Sequence, residues 1–181
     1  MHRIALRAAA ASLVLVPVAA SAHPGHDSIS LVSGFMHPLG GIDHIIAMVA
    51  VGLLAARLGG RALWLVPASF VTAMAAAGLA ASLGLELPYV ETGIAVSVLV
   101  LGAIVAFRVA MPVAVAVGLV AFFAVFHGFA HGVEMPETAS GLLYGLGFVA
   151  ATALLHGFGI GLGLTIAGPR SRVRPTSSAV R

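Results

Sequence analysis

The sequence predicts an all-α integral membrane protein, a bundle of five transmembrane helices that follows a cleaved signal peptide. Of its 181 residues, 60% are hydrophobic and only 8% are charged, and the mean hydropathy is +1.11. Soluble domains carry about 25% charged residues, so this composition excludes an ordinary soluble fold. Because the bilayer cannot satisfy exposed backbone groups, apolar segments of spanning length are expected to be helices.

Residues 1–22 have the three parts of a secretory signal peptide. Arg3 and Arg7 supply positive charge, residues 8–18 form an apolar stretch, and Ala20-Ser21-Ala22 fits a cleavage site made of small residues. The alternative is an uncleaved first membrane helix.

Cleavage after this leader would leave a short exported tail over residues 23–28. The tail contains His23 and His26, and a free amine at His23 would add a third nitrogen. These groups either capture a metal ion weakly or are incidental surface histidines.

The transmembrane domain is predicted over residues 29–168. Its five apolar segments run over residues 29–56, 62–85, 90–107, 112–133 and 139–167. A spanning helix needs roughly 20 residues, which the third segment only just provides. Pro38-Leu39-Gly40-Gly41 interrupts the first segment and predicts a helix that is either broken at Pro38–Gly41 or re-entrant. Broken membrane helices expose helix ends at binding sites.

The distribution of charge predicts the orientation in the membrane. The arginines lie in the loops after the first and third segments and in the basic tail, 169–181, which is predicted to be disordered. These arginines are Arg57, Arg61, Arg108, Arg170, Arg172, Arg174 and Arg181, and the acidic residues of the other side are Asp27, Glu86, Glu91, Glu134 and Glu137. By the positive-inside rule, the mature N-terminus is periplasmic and the C-terminus is cytoplasmic in a bacterial inner membrane. The pI near 10.6 therefore does not indicate nucleic-acid binding.

Two histidines and a glutamate form a stripe at the end of the fourth segment. His127 and His131 are one helical turn apart and Glu134 follows three residues later, so all three share one helix face. Imidazole is the commonest metal ligand, and two imidazoles one turn apart can chelate a single cation. The alternative is that the histidines bond to nearby backbone and that Glu134 is simply solvated.

The first segment contains a second polar group. His37 and His44 are seven residues apart, and Asp43 directly precedes His44. On one straight helix the two histidines would share a face, with Asp43 about 100° away. Asp43 either binds a metal directly or orients an imidazole from behind. Since a buried unpaired carboxylate is costly, a functional role is favoured.

His156 is a single histidine within the last segment. An ionisable group at membrane depth is costly and usually lines a pathway, although a core histidine bonded to a carbonyl is the alternative. The chain contains no cysteine, so any metal site must use imidazole, carboxylate, backbone or water.

These motifs resemble the HupE/UreJ family of nickel and cobalt permeases. The resemblance rests on residues 23–27, on 34–52 with its His-Pro-Leu-Gly-Gly-Ile-Asp-His core, and on Phe-His-Gly-Phe-Ala-His-Gly-Val-Glu at 126–134. It covers almost the whole mature chain. It implies an inner-membrane transporter that supplies Ni²⁺ or Co²⁺ to metalloenzymes. It also implies that the important positions are His37, Asp43, His44, His127, His131 and Glu134.

The sequence therefore predicts uptake of a divalent metal ion, Ni²⁺ first and Co²⁺ as the alternative, bound transiently and without a prosthetic cofactor. Glu134 and Glu137 would attract the ion, His131 and His127 would pass it towards the first segment, and His156 would follow. A homo-oligomer in the lipid bilayer is compatible with five spans, which enclose only a narrow path.

Two other classes of protein share some of these features. An intramembrane metal-dependent hydrolase needs a general base, but Gly128 stands where the HExxH motif has glutamate, so Asp43 or Glu134 would have to serve. A metal-sensing or structural membrane subunit is the third possibility. We expect a transporter and not an enzyme.

Overall fold

The computed structural model describes residues 31–134 and 140–167, which form six α-helices. They are α1 (Leu31–Gly40), α2 (Ile42–Leu58), α3 (Ala62–Ser82), α4 (Val90–Ala106), α5 (Val113–Val133) and α6 (Ser140–Ala167). Within these two ranges there is no strand, as predicted. The signal peptide, the basic tail, His23 and His26 lie outside the described residues.

The first apolar segment is broken, as its sequence predicts. Helices α1 and α2 meet at an angle of 88°. Pro38 lies inside α1, and the break falls at Gly41, whose backbone is extended with φ −106° and ψ 121°. A Cβ atom at Gly41 would lie 2.7 Å from Asp43 Oδ1 and 2.8 Å from His44 Nδ1. The glycine therefore lets the chain turn beside these two polar side chains, and His37 and His44 do not share one straight helix.

Three helices are long and apolar enough to cross a membrane: α3, α5 and residues Gly141–Ile166 of α6. The bent pair of α1 and α2 gives a fourth candidate span when it is counted as one. Helix α4 is apolar but has only 17 residues. The architecture is that of a multi-pass membrane protein.

Helices α3 and α5 pack closely in parallel. A Cβ atom at Gly128 would collide with the carbonyl oxygen of Met74, and one at Gly132 with the carbonyl oxygen of Gly78. Glycine is required at both positions because the backbones of the two helices touch there. Since α3 and α5 run in the same direction, α4, which connects them in sequence, must run in the opposite direction along the bundle.

Helices α2 and α6 form a second parallel pair. Gly52 packs against Gly159, and Gly163 faces Ala56 one turn further along both helices. At the end of α2, the Arg57 guanidinium donates a hydrogen bond of 3.0 Å to the carbonyl oxygen of Ile104 at the end of α4. The arginines that follow α2 and α4 in sequence therefore lie at one end of the bundle.

The interior is filled by apolar side chains from α2 to α6, whereas large apolar side chains also cover the outer surface. The largest fully buried apolar residues include Met48, Leu54, Val66, Phe70, Leu101 and Val120. Trp64, Phe122 and Leu154 are more than half exposed. An apolar exterior suits a protein whose solvent is lipid.

The close approach of α3 and α5 makes a stability prediction. We expect Gly128→Ala to lower the free energy of unfolding by about 1–3 kcal/mol, because the added methyl group overpacks the helix contact. Gly118→Ala in the same helix is the matched control, since a Cβ atom there would meet nothing within 4 Å and alanine favours a helix. Thermal unfolding in detergent measures both variants, and equal stability of the two would contradict this packing.

Candidate metal centre

The most exposed part of the polar cluster joins α1 to the end of α5. His37 Nε2 on α1 lies 3.2 Å from Glu134 Oε2, and His131 Nδ1 lies 3.6 Å from the same carboxylate oxygen. The Glu134 side chain is half exposed, so water solvates its charged form. Glu134 is thus a carboxylate at neutral pH, which is the charged form that attracts a cation.

His131 also contacts the start of α2. Its Nε2 atom lies 2.7 Å from His44 Nε2. The chain positions these rings through the break at Gly41, which directs α1 and α2 to opposite sides of His131. The two polar groups, which lie 83 to 97 residues apart in the sequence, therefore form one cluster.

Asp43 contacts the other side of the His44 ring. Its Oδ1 atom lies 3.0 Å from His44 Nδ1, and a carboxylate can only accept, so His44 Nδ1 donates. A neutral His44 then presents a lone pair at Nε2, and His131 Nε2 must donate to it. A neutral His131 is left with a lone pair at Nδ1, directed at Glu134.

Three potential ligand atoms converge at this point. One atom each from His37, His131 and Glu134 lies within 4.8 Å of the others, and we call these residues the His–Glu triad. His131 Nδ1 has no hydrogen-bond partner among the described residues. A nitrogen lone pair and a carboxylate that face each other at 3.6 Å are both electron donors, and a cation between them would satisfy both. Asp43 and His44 lie behind His131, as groups that orient metal-binding histidines commonly do.

His127 extends the cluster into the interior. Its ring centroid is 5.4 Å from that of His44, and its Nε2 atom lies 2.8 Å from Ser97 Oγ on α4. Ser97 Oγ also lies 2.7 Å from the carbonyl oxygen of Ile94. The single hydroxyl proton goes to that carbonyl, so His127 Nε2–H donates to Ser97 and His127 Nδ1 keeps a lone pair. In the described part of the chain this Nδ1 atom is buried without a partner.

Aromatic residues wall the cluster. On α6, Phe148 lies with its ring centroid 4.3 Å from that of His131, and Tyr144 lies 5.7 Å from His37. On α3, Phe70 lies 5.6 Å from His127 and 5.2 Å from His156. His156 therefore shares an apolar neighbour, Phe70, with His127.

Exposure falls from the Glu134 end of the cluster to the His127 end. The side chains of Glu134 and His37 are 50% and 36% exposed, those of His131 and His44 are 10% and 14% exposed, and His127 is completely buried. The sequence analysis predicts that the ion meets His131 and His127 before it reaches His37 and His44. The structure instead alternates the two helices, because His37 contacts Glu134 and His44 lies between His131 and His127.

Ser97 is a polar residue that the sequence analysis did not identify. It bonds to its own helix through the carbonyl oxygen of Ile94 and also fixes the ring of His127, and no local pattern in α4 indicates the second contact. Thr152 is a second polar residue that the sequence analysis did not identify; it is completely buried one turn before His156. An isolated hydroxyl in an apolar helix usually bonds to the helix backbone, so neither residue is distinctive in sequence.

Comparison with known proteins places these residues in a family. The family model described as HupE / UreJ protein matches residues 11–180. The chain belongs to the HupE/UreJ family. It is 48% identical over 147 residues to Protein HupE of Rhizobium leguminosarum bv. viciae, which covers 81% of this chain and 77% of that protein. No solved structure matches.

The contact between Ser97 and His127 is open to a stability test. We expect Ser97→Ala to lower the free energy of unfolding by about 1–3 kcal/mol, because His127 would be buried with neither ring nitrogen hydrogen-bonded. Ser82→Ala is the matched control, since the exposed Ser82 hydroxyl bonds to the carbonyl oxygen of Leu79 at the membrane edge. Denaturant or thermal titration compares them, and equal losses in both variants would count against the contact.

Proposed function

We propose that this chain takes up a divalent transition-metal ion, Ni²⁺ in the first place, from the periplasm into the cytoplasm. Proteins of the HupE/UreJ family are generally nickel and cobalt transporters, so membership supports metal transport. The observation that carries the proposal is the His–Glu triad at the exposed end of a row of increasingly buried histidines. Co²⁺ takes the same nitrogen and oxygen ligands and is the alternative substrate of the same type.

The triad is the entrance site of the proposed pathway. It offers two imidazole nitrogens and one carboxylate to the ion, and water completes the coordination. Nickel accepts nitrogen and oxygen ligands in octahedral or tetragonal geometry. A site without thiolate binds such an ion weakly enough for release, which transport requires.

Asp43 and His44 first hold His131 in position at the entrance site, and His44 is then the next ligand that the ion reaches. While the ion is at the triad, the Asp43–His44–His131 row fixes the tautomer of His131. When the 2.7 Å contact between His131 and His44 opens, the lone pair of His44 Nε2 becomes available to the ion. His127 Nδ1, which Ser97 leaves unprotonated, follows, and His156 lies further along the same route.

Five membrane crossings suit the arrangement of the helices. The parallel direction of α3 and α5 requires α4 to traverse the bundle between them, and its 17 residues span about 25 Å. With the arginines at the cytoplasmic end, the triad faces the periplasm. A cleaved signal peptide would leave His23 and His26 on the same side, where they would concentrate the ion near Glu134.

The membrane potential is the proposed driving force. It favours entry of positive charge by about 2.3 kcal/mol per elementary charge per 100 mV. The sequence contains no P-loop motif for ATP hydrolysis. Since the family consists of transporters and not enzymes, we do not propose a hydrolase activity.

Metal flux tests the proposal. We expect the purified protein in liposomes to admit Ni²⁺ or Co²⁺ down a gradient, and His131→Ala to reduce the flux to that of protein-free liposomes, because His131 belongs both to the triad and to the row behind it. A fluorescent metal indicator inside the liposomes measures entry. A wild-type protein that moves neither ion would contradict the proposal.

The charge of Glu134 makes a more specific prediction. Glu134→Gln should weaken the apparent affinity for Ni²⁺ by about tenfold or more, because it replaces a charged ligand with a neutral one. Glu91→Gln is the matched control, since Glu91 is also exposed, in the first turn of α4. Concentration-dependent uptake separates the two variants. Equal effects would mean that only the general negative charge of this surface matters.

A further inference from the structure

We propose that Thr152 and His156 form a second ion-binding site, deeper in the bundle than the His–Glu triad. We call these two residues the inner pair. The inference rests on the proposed function, since it concerns the route of the same divalent ion. It assigns a ligand role to the Thr152 hydroxyl and makes the pathway a sequence of two separate sites.

The two side chains share one face of α6 and are buried there. Thr152 and His156 are four residues apart, which is one helical turn, and they are 0% and 1% exposed. No hydrogen-bond partner for Thr152 Oγ1 or for either ring nitrogen of His156 is present in the described ranges. Three polar atoms on side chains one helical turn apart are therefore buried without a hydrogen-bond partner.

The hydroxyl of Thr152 is the more informative of the two. In membrane helices, serine and threonine usually bond to a carbonyl one turn back, and Ser69, Thr72, Ser82, Ser97 and Thr165 all do so in this chain. Thr152 makes no such bond, so its oxygen remains available. An unsatisfied buried hydroxyl costs about 1–3 kcal/mol, a cost that a ligand would remove.

His156 has the chemistry that a transition-metal ion needs. A neutral imidazole carries one proton, so one of its two unpartnered nitrogens presents a lone pair. Together with the Thr152 oxygen and water, this nitrogen gives a mixed site without a carboxylate. Such a site binds more weakly than the triad, which suits a station that passes the ion on.

The inner pair lies well beyond the triad along the bundle. The backbone of His156 contacts Gly52, and Gly52 is eight residues after His44 on α2. At 1.5 Å per residue, this backbone contact lies about 12 Å further along the helix axis than His44, and Thr152 lies one turn nearer. The inner pair is therefore deeper along α2 than His44, whereas the triad lies on the other side of His44, beyond His131.

Phe70 contacts both sites. Its buried ring packs against those of His127 and His156, with centroid distances of 5.6 Å and 5.2 Å. An apolar ring offers no ligand, so Phe70 gives the ion no further binding group between His127 and the inner pair. The structure thus provides two polar stations that share an apolar neighbour.

Binding stoichiometry with Co²⁺ as the probe tests the inner pair. We expect the full chain in detergent to bind two Co²⁺ ions and Thr152→Val to bind one, with uptake reduced about tenfold. Valine has the shape of threonine without the hydroxyl, so the thermal stability of this variant should be equal or higher. Thr152→Ser retains the hydroxyl and should still bind two ions.

His131→Ala distinguishes failure of the inner pair from failure of the proposed function. If Thr152→Val and His156→Gln both bind two ions and transport as the wild type does, water alone satisfies the inner pair and the inference is overturned. The proposed function survives that result when His131→Ala still abolishes uptake. If His131→Ala transports normally, the triad is not the entrance site, whereas a wild-type protein that moves no ion contradicts the proposed function itself.

Discussion

The contact between His131 and His44 is the interaction on which the rest of the site depends. Two imidazole nitrogens from different spans approach to 2.7 Å, so one must donate and the other accept. Asp43 decides the direction by holding the proton on His44 Nδ1. The lone pair of His131 is thereby turned towards Glu134 and His37. The Asp43–His44–His131 row thus transmits the position of one proton on α2 to a potential ligand on α5.

The fold is arranged so that this contact can form. Gly41 ends α1 beside Asp43 and His44, where a side chain would collide with both. Gly128 and Gly132 let α5 press against α3, which brings the histidine face of α5 inward. Glycines in membrane helices generally permit close packing, and here they stand next to the histidines in sequence. The same residues therefore determine helix packing and the position of the polar groups.

Much of this could be predicted from the sequence, because it depends on local periodicity. The i,i+4 spacing of His127 and His131 fixed their common face, and the proline and glycines near residue 40 predicted the helix break. The contact of the two groups depends on how distant segments pack, which one sequence does not contain. For the same reason the sequence leaves two roles open for Asp43, that of a metal ligand and that of a group that orients an imidazole. The 3.0 Å distance between Asp43 Oδ1 and His44 Nδ1 favours the second. Ser97 and Thr152 were missed because an isolated hydroxyl in an apolar helix looks the same with or without a long-range partner.

The central claim is that the His–Glu triad binds the ion, and X-ray absorption spectroscopy tests it most directly. The spectrum of the purified full chain with one equivalent of Ni²⁺ would be measured at the nickel edge. The account predicts two imidazole ligands, recognisable by multiple scattering from the rings, with oxygen ligands completing the shell. An oxygen-only shell in the wild-type protein would contradict the account, because the ion would then be held outside the histidines.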